Sequence, residues 1–463
     1  MGSLHLAAIA DLLGARYNGA ATVPAGAAVD SRRVQPGDLF VATRGEHVDG
    51  HDYVEAAAAR GAVAAVTERP VAASIPCLPV RDPLLALSEL GRANRAAFPG
   101  VVLSITGSCG KTSVKNMCRS IFELAGRTVA TAGNYNNEIG VPLTLTRLSD
   151  ATQFAIVEMG ATGRGHVAHL CELARPQIST VLNAMEAHLL GFGSVEDVAD
   201  IKAEIYDGLT PGDVAVLNLD SPYAPLWQER IAAAGSRVVT YSRDRAADVR
   251  GEDARADGLA GTRFTLRIGE RADSLFLPLP GLHHVSNALA AAALATAAGI
   301  APETIVAGLE RAQPAAGRLQ HETLADGTVL IDDSYNANPG SVRAAIDLLA
   351  GAPAPRTLVL GEMLELGDAS EAMHAEMGER ARARGIERLV GVGAALAPTV
   401  TAFGAGAELL EDRAAVAAAA RRLLAASATI LVKGSRGAAM ETVIADLRDA
   451  AAGQAATGEG AAC

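Results

Sequence analysis

One stretch of the chain, Ile105-Thr106-Gly107-Ser108-Cys109-Gly110-Lys111-Thr112-Ser113, sits between an apolar run and a segment with helical periodicity. That order of elements suits a phosphate-binding loop. Glycines let backbone N–H groups approach phosphate oxygens, and the helix N-terminus adds positive potential. Lys111 then reaches the outer phosphates and the Thr112 hydroxyl serves as a Mg²⁺ ligand. The usual loop has a glycine five residues before Gly110, where Ile105 stands, so this one opens at Gly107. Gly107, Ser108, Cys109, Gly110, Lys111, Thr112 and Ser113 are read as nucleotide-binding, against the alternative of a plain strand-to-helix turn.

Other polar groups follow apolar runs in the same way. Glu158 ends the run over 154–157, where an α/β sheet presents groups to its ligand, and it suits a Mg²⁺ ligand or else a carboxylate facing water. His188 follows the run over 178–182 as a metal ligand or a hydrogen-bonded structural residue, and Lys202 comes one helical segment later. The segment Asp332-Asp333-Ser334-Tyr335-Asn336-Ala337-Asn338-Pro339-Gly340 is either a tight turn or a ligand contact at a strand end. His166 and His169 share a helix face, but nothing else of a zinc site accompanies them.

The basic residues are unevenly divided. Of 40 only Lys111, Lys115, Lys202 and Lys433 are lysine. Arginine fills nearly every generic basic position, so each lysine is a candidate for chemistry that a guanidinium cannot perform.

These groups need elements to hold them. In the first hundred residues the pattern predicts strands over 38–42 and 62–67 and a helix over 53–60, a small α/β unit. Beyond residue 100, apolar runs over 101–105, 154–157, 178–182 and 214–217 alternate with helical segments, which predicts a parallel sheet covered on both faces. Helices over 288–300 and 302–312 end at Pro314, and strands over 329–331, 357–360, 389–392 and 429–432 then alternate with helices over 342–349 and 414–425. The expected fold is α/β with three domains: a small N-terminal α/β domain (1–99), a central P-loop domain on a parallel sheet (100–314) and a C-terminal Rossmann-like domain (315–450). A disordered tail is expected over 451–463.

Composition narrows the function. With 463 residues the chain is too long for a lone binding module. A net charge of −12 and 3% aromatic residues argue against nucleic acid as a partner. Five scattered cysteines, none spaced C-x-x-C, fit reduced thiols and a cytoplasmic location, and no run is long and apolar enough to predict membrane insertion.

Taken in order, Asp30-Ser31-Arg32, Asp49-Gly50-His51, the loop at 107–113, Asn134-Tyr135-Asn136-Asn137-Glu138-Ile139-Gly140 and Lys433-Gly434-Ser435-Arg436-Gly437 resemble the Mur ligase family, the ATP-dependent amide-forming enzymes of peptidoglycan precursor synthesis. Within it, Asp333-Ser334-Tyr335-Asn336-Ala337-Asn338-Pro339 and Leu360-Gly361-Glu362-Met363-Leu364-Glu365-Leu366-Gly367 resemble the member that adds D-alanyl-D-alanine. The resemblance implies ATP and Mg²⁺ as cofactors, with UDP-N-acetylmuramoyl-tripeptide and D-alanyl-D-alanine as substrates of a monomeric enzyme. It implies UDP-substrate binding by Ser31 and Arg32, and by Asn134, Asn136 and Asn137 nearer the reacting groups. Asn287 then lies beside the adenine, and Arg318 and Asp333 close over the nucleotide. Lys111, Glu158, His188 and Lys202 are the implied catalytic residues, and Thr112, Glu158, His188 and a carbamylated Lys202 the implied metal ligands. His284 departs from the family's usual Asn. Two other readings of the loop stay open: an NTPase that drives a conformational change, and folylpolyglutamate synthase.

Overall fold

The computed structural model describes residues 1–2, 4–45, 48–186 and 192–458, the last five of these by backbone alone. Each domain is built on its own sheet. In the first, β1 (Ala27–Ala28), β2 (Leu39–Val41), β3 (Ala64–Thr67) and β4 (Cys77–Pro79) lie side by side in chain order, all parallel. Leu39, Phe40 and Val41 are all buried, as a strand covered on both faces requires.

The central sheet has nine strands: β5 (Val101–Thr106), β6 (Thr128–Ala130), β7 (Phe154–Glu158), β8 (Ile178–Val181), β9 (Val214–Asn218), β10 (Arg237–Ser242), β11 (Val249–Asp257), β12 (Gly261–Ile268) and β13 (Arg271–Leu277). Their order is β13-β12-β11-β10-β9-β8-β5-β7-β6. β5 lies between β7 and β8, so the chain leaves its C-terminal end where successive connections run to opposite sides, the usual ligand position in such a sheet. On one face pack the helices Lys111–Ala125, His283–Ala297 and Pro302–Glu310. On the other lie His166–Ala174, Val195–Ala203 and Ala224–Ala234. Residues Ala288 to Ala295 are wholly buried, and their small side chains let the helix lie close against the sheet.

The expectation of a parallel central sheet holds for β5 to β11 only. β11, β12 and β13 form an antiparallel meander. Its signal is a period of two: Thr262, Phe264 and Leu266 face the core while Arg263 points to water.

The third sheet comprises β14 (Gln320–Thr323), β15 (Val329–Asp333), β16 (Arg356–Gly361), β17 (Arg388–Val392), β18 (Ala407–Leu410) and β19 (Thr429–Lys433), in the order β14-β15-β19-β16-β17-β18. All pairs but β14–β15 are parallel, and helices cover both faces, which is the Rossmann-like arrangement. The expected disordered tail is corrected in part: the last helix, Glu441–Gly458, runs into it, with Ala451 buried. Composition alone misses this because alanine suits a helix as well as a low-complexity tail. Residues 459–463 lie outside the described part.

Buried polar contacts join the first two domains. Asn94 Nδ2, on the helix Pro83–Ala97, donates to the carbonyls of Leu145 and Leu148 at 2.7 and 2.9 Å. Arg147 grips Asp38 through both guanidinium nitrogens, at 2.5 and 2.7 Å, and the Asp38 side chain is wholly buried. Removing one partner of such a pair strands the other. Asp38→Ala is therefore expected to cost about 2 kcal/mol, the partial exposure of Arg147 reducing the full buried-pair penalty. Urea denaturation checks this; an unchanged midpoint for the first unfolding transition contradicts it.

Candidate active site between the second and third domains

The phosphate loop takes its shape from two glycines and one asparagine. Gly110 has φ +82°, a conformation that favours glycine, and a Cβ there would stand 2.5 Å from Asn287 Oδ1. Asn183, just beyond β8, accepts the Cys109 N–H at 2.9 Å and donates to the Cys109 carbonyl at 3.1 Å, bracing the loop from the neighbouring strand. Lys111 opens the helix and its Nζ donates to the Gly107 carbonyl at 2.6 Å. Burial holds its pKa below the usual lysine range against the pull of Glu158.

Glu158 is the last residue of β7, in register with Ile105 of β5. Its buried carboxylate accepts from Thr112 Oγ1 at 3.1 Å and Asn136 Nδ2 at 2.8 Å, and it pairs with Lys115 Nζ at 3.3 Å. Hydroxyl, carboxamide and carboxylate oxygens beside a phosphate loop are hard donors of the kind Mg²⁺ takes. No group of three or more His, Cys, Asp or Glu gathers among the described residues, so phosphate oxygens and water would have to complete the shell of a Mg²⁺ here.

The opposite wall comes from the third domain. Asp333 and Lys433 are register partners on β15 and β19 and form an ion pair at 2.6 Å, Lys433 also donating to the Asn336 carbonyl at 2.8 Å. Burial raises the Asp333 pKa, and Lys433 and then Arg318 pull it back. Arg318 reaches across to donate to Thr112 Oγ1 at 3.2 Å. Asn338 caps the helix Pro339–Ala350 and donates through Nδ2 to Cys109 Sγ at 3.1 Å, while Arg343 on that helix reaches Glu186 at 3.4 Å. The two walls enclose a cavity of about 450 Å³, lined by the loop, Asn183, Asn287, Arg318, Asp333 and Lys433.

At one part of this lining the rings of His283 and His284 pack at a tilt of 40° with centroids 4.2 Å apart. Burial, then the charges of Lys433 and Arg243, push His283 down to about 4; burial and then His283 hold His284 well below the ordinary range. Both are neutral at pH 7, and His284 Nδ1 lies 3.3 Å from Asn287 Nδ2.

Lys202 is buried on the helix Val195–Ala203. Burial, and then the charge of Lys111, bring its pKa down to about 7. Its Nζ lies 5.6 Å from the Phe192 ring centre, and among the described residues no carboxylate pairs with it. His188 lies outside the described residues.

The residues expected on the UDP-substrate side are more dispersed. Ser31 is buried at the start of a short 3₁₀ turn, whereas the exposed Arg32 folds back on Asp30 at 2.9 Å. Asn136 joins Glu158, but Asn137 accepts the Gly140 N–H at 3.1 Å and shapes its own turn, and Asn134 is exposed. Asp220 and Arg243 line the cavity without any sequence pattern that marks them, and Asn183 and Asn338 line it from segments that follow apolar strands. For Asn183 the signal was its place directly after an apolar strand.

Comparison with known proteins agrees with this architecture. Residues 25–95 match the Mur ligase family catalytic domain, 105–295 the Mur ligase middle domain and 317–436 the Mur ligase glutamate ligase domain. The chain is 42% identical, over 96% of its own length and 99% of the relative's, to UDP-N-acetylmuramoyl-tripeptide–D-alanyl-D-alanine ligase of Escherichia coli. Among solved structures, MurF from Acinetobacter baumannii superposes with a TM-score of 0.85 at 31% identity, over 95% of this chain and 98% of that one. MurF ligase from Thermotoga maritima in complex with ADP gives 0.78 at 25% identity, over 96% and 99%. Phosphate loop, facing domain and relatives together define an ATP-dependent ligase. The chain belongs to the Mur ligase family.

The loop cysteine offers a direct test. Burial raises the thiols of Cys77 and Cys118 and pushes Cys171 up to about 12, whereas Cys109 precedes the helix N-terminus beside Lys111. Cys109 is expected to alkylate fastest of these four, and Mg-ATP to protect it. Equal labelling with and without saturating Mg-ATP contradicts the loop assignment.

Proposed function

We propose that the chain joins D-alanyl-D-alanine to the terminal carboxylate of UDP-N-acetylmuramoyl-tripeptide, releasing ADP and phosphate, as a monomer in the cytoplasm. The single observation that carries this reading is the shared cavity, with a phosphate loop on one wall and a buried Asp333–Lys433 pair on the other. The names of the relatives supply the substrates. Folylpolyglutamate synthase from Mycobacterium tuberculosis shares the fold at 18% identity, which carries no argument for its substrate.

A carboxylate does not acylate an amine at neutral pH. In the first step a tripeptide carboxylate oxygen bonds to the γ-phosphorus of ATP as the bond to ADP breaks. The dipeptide amine then attacks the acyl carbon, phosphate departs with the C–O electron pair, and the amine loses a proton to solvent. Lys111 and Arg318 offset the charge of the triphosphate, and Asn287, beside Gly110, serves the adenine. Thr112 and Glu158 would hold a Mg²⁺, which when bound neutralises phosphate charge and orients the oxygens. Asn136 and Lys115 keep Glu158 in position. Asn134, Asn137, Ser31 and Arg32 serve the UDP-linked substrate, and contacts of Asn338 and Arg343 with the second domain help keep water from the acyl phosphate. ADP release is expected to require the UDP-tripeptide and D-alanyl-D-alanine together; equal release without the dipeptide rejects the ligase reading in favour of a hydrolase.

Lys202 carries the finer part of the proposal. An ε-amine must be neutral to attack CO₂, and with a pKa near 7 about half of this one is neutral at pH 7. The nitrogen bonds to carbon, a proton passes to solvent, and the ammonium site becomes a long carboxylate able to serve a second Mg²⁺. The fit rests on a buried amine that has no carboxylate partner among the described residues. Carbamylation is expected to rise as pH passes upward through 7, read as a ¹³C-carbamate signal with labelled bicarbonate that Lys202→Ala lacks. Lys202→Ala is expected to lose most turnover, with partial return in acetate. Full activity in Lys202→Arg rejects this role, since a guanidinium cannot become a metal-binding anion.

A further inference from the structure

Arg318 presents an unusual electrostatic situation. It approaches Thr112 beside the phosphate loop, yet among the described residues no carboxylate pairs with it. A long, flexible cation facing a cavity loses considerable rotamer freedom when it is fixed, so something else must hold it. Its Cζ lies 4.4 Å from the ring centre of Tyr335. The backbones are already joined at that point: the Tyr335 N–H donates to the Gly317 carbonyl at 3.0 Å. Gly317 has φ +66°, and a Cβ there would stand 3.1 Å from the Tyr335 Cβ, so a side chain at 317 would press against the ring's own stem.

We propose that Tyr335 is a positioning residue that holds the Arg318 guanidinium over the outer-phosphate position without neutralising it. A carboxylate would hold the arginine by a bidentate pair, occupying its donors and cancelling the charge the nucleotide needs. The face of an aromatic ring attracts the cation through its quadrupole and leaves the N–H donors in the guanidinium plane free. A contrast lies on the same ring. Arg436 stands 5.8 Å from the ring centre, but its charge is paired with Glu441 at 2.9 Å. One tyrosine thus packs against one neutralised arginine and one whose charge remains available. The Tyr335 hydroxyl also hydrogen-bonds Arg318, but the ring face carries the larger share of the holding, and the proposal rests on the reading above only in assigning the loop to ATP.

The test is calorimetric titration with Mg²⁺ present, comparing ADP with β,γ-imido-ATP. Arg318→Met is expected to reduce the preference for the triphosphate analogue about tenfold, the scale of one well-placed charged contact. Tyr335→Leu is expected to do the same, Tyr335→Phe to stay within about twofold, and the Tyr335→Leu/Arg318→Met double variant to lose no more than either alone. Additive losses in the double variant, or an unchanged preference in Tyr335→Leu or in Arg318→Met, overturn the proposal. Thermal melts accompany each variant, and Tyr335→Met carries the same test if the leucine chain unfolds. Because no acyl acceptor enters the titration, a chain that shows this binding pattern but forms no peptide bond fails the ligase reading and leaves the role of Tyr335 standing.

Discussion

Two anions, a triphosphate and a carboxylate, have to come within bonding distance in this site, and much of the architecture follows from that constraint. Two unit charges 4 Å apart interact by about 4 kcal/mol at an effective dielectric of 20, and a triphosphate carries several such charges, so more than one cation is needed. The protein gathers several. Lys115 and Lys433 are each balanced by a buried carboxylate, whereas Lys111 and Arg318 line the cavity with no such partner among the described residues. The balanced pairs fix the walls, and the unbalanced charges face what binds between them.

No single sheet delivers all of these groups. Lys111, Thr112 and Glu158 stand at the C-terminal ends of β5 and β7, and Asp333 and Lys433 at the ends of β15 and β19, so the site forms where two sheets point their strand ends at each other. The first domain is tied to the second by the Arg147–Asp38 pair and the Asn94 contacts. The second meets the third through discrete polar contacts at the cavity: Arg318 to Thr112, Asn338 to Cys109 and Arg343 to Glu186. A boundary of this kind opens and closes at modest cost, which suits an enzyme that must admit two substrates and then exclude water.

Much of this was legible before any coordinates. The scarcity of lysine was the sharpest signal: Lys111 and Lys433 line the cavity, Lys115 holds Glu158, and burial, then the charge of Lys111, lowers the pKa of Lys202. The phosphate loop and Glu158 were readable because both directly follow apolar strands. What composition and period cannot reveal is contact between distant segments. Asn183 braces Cys109 from 74 residues away and Asn338 meets it from 229; each lies in a segment that follows an apolar strand, but nothing local tells that the two segments meet at Cys109. Arg32 shows the converse, since its motif was visible but its side chain turns to Asp30 at the surface.

The central claim is that this site transfers a phosphoryl group to a carboxylate and not to water. Isotope tracing reads that step directly. UDP-N-acetylmuramoyl-tripeptide carrying ¹⁸O in its terminal carboxylate, incubated with ATP, Mg²⁺ and D-alanyl-D-alanine, should deliver one ¹⁸O atom to each phosphate released, because the acyl C–O bond breaks with that oxygen on phosphorus. Phosphate that carries no label from the carboxylate, and instead takes its new oxygen from solvent, would contradict the account.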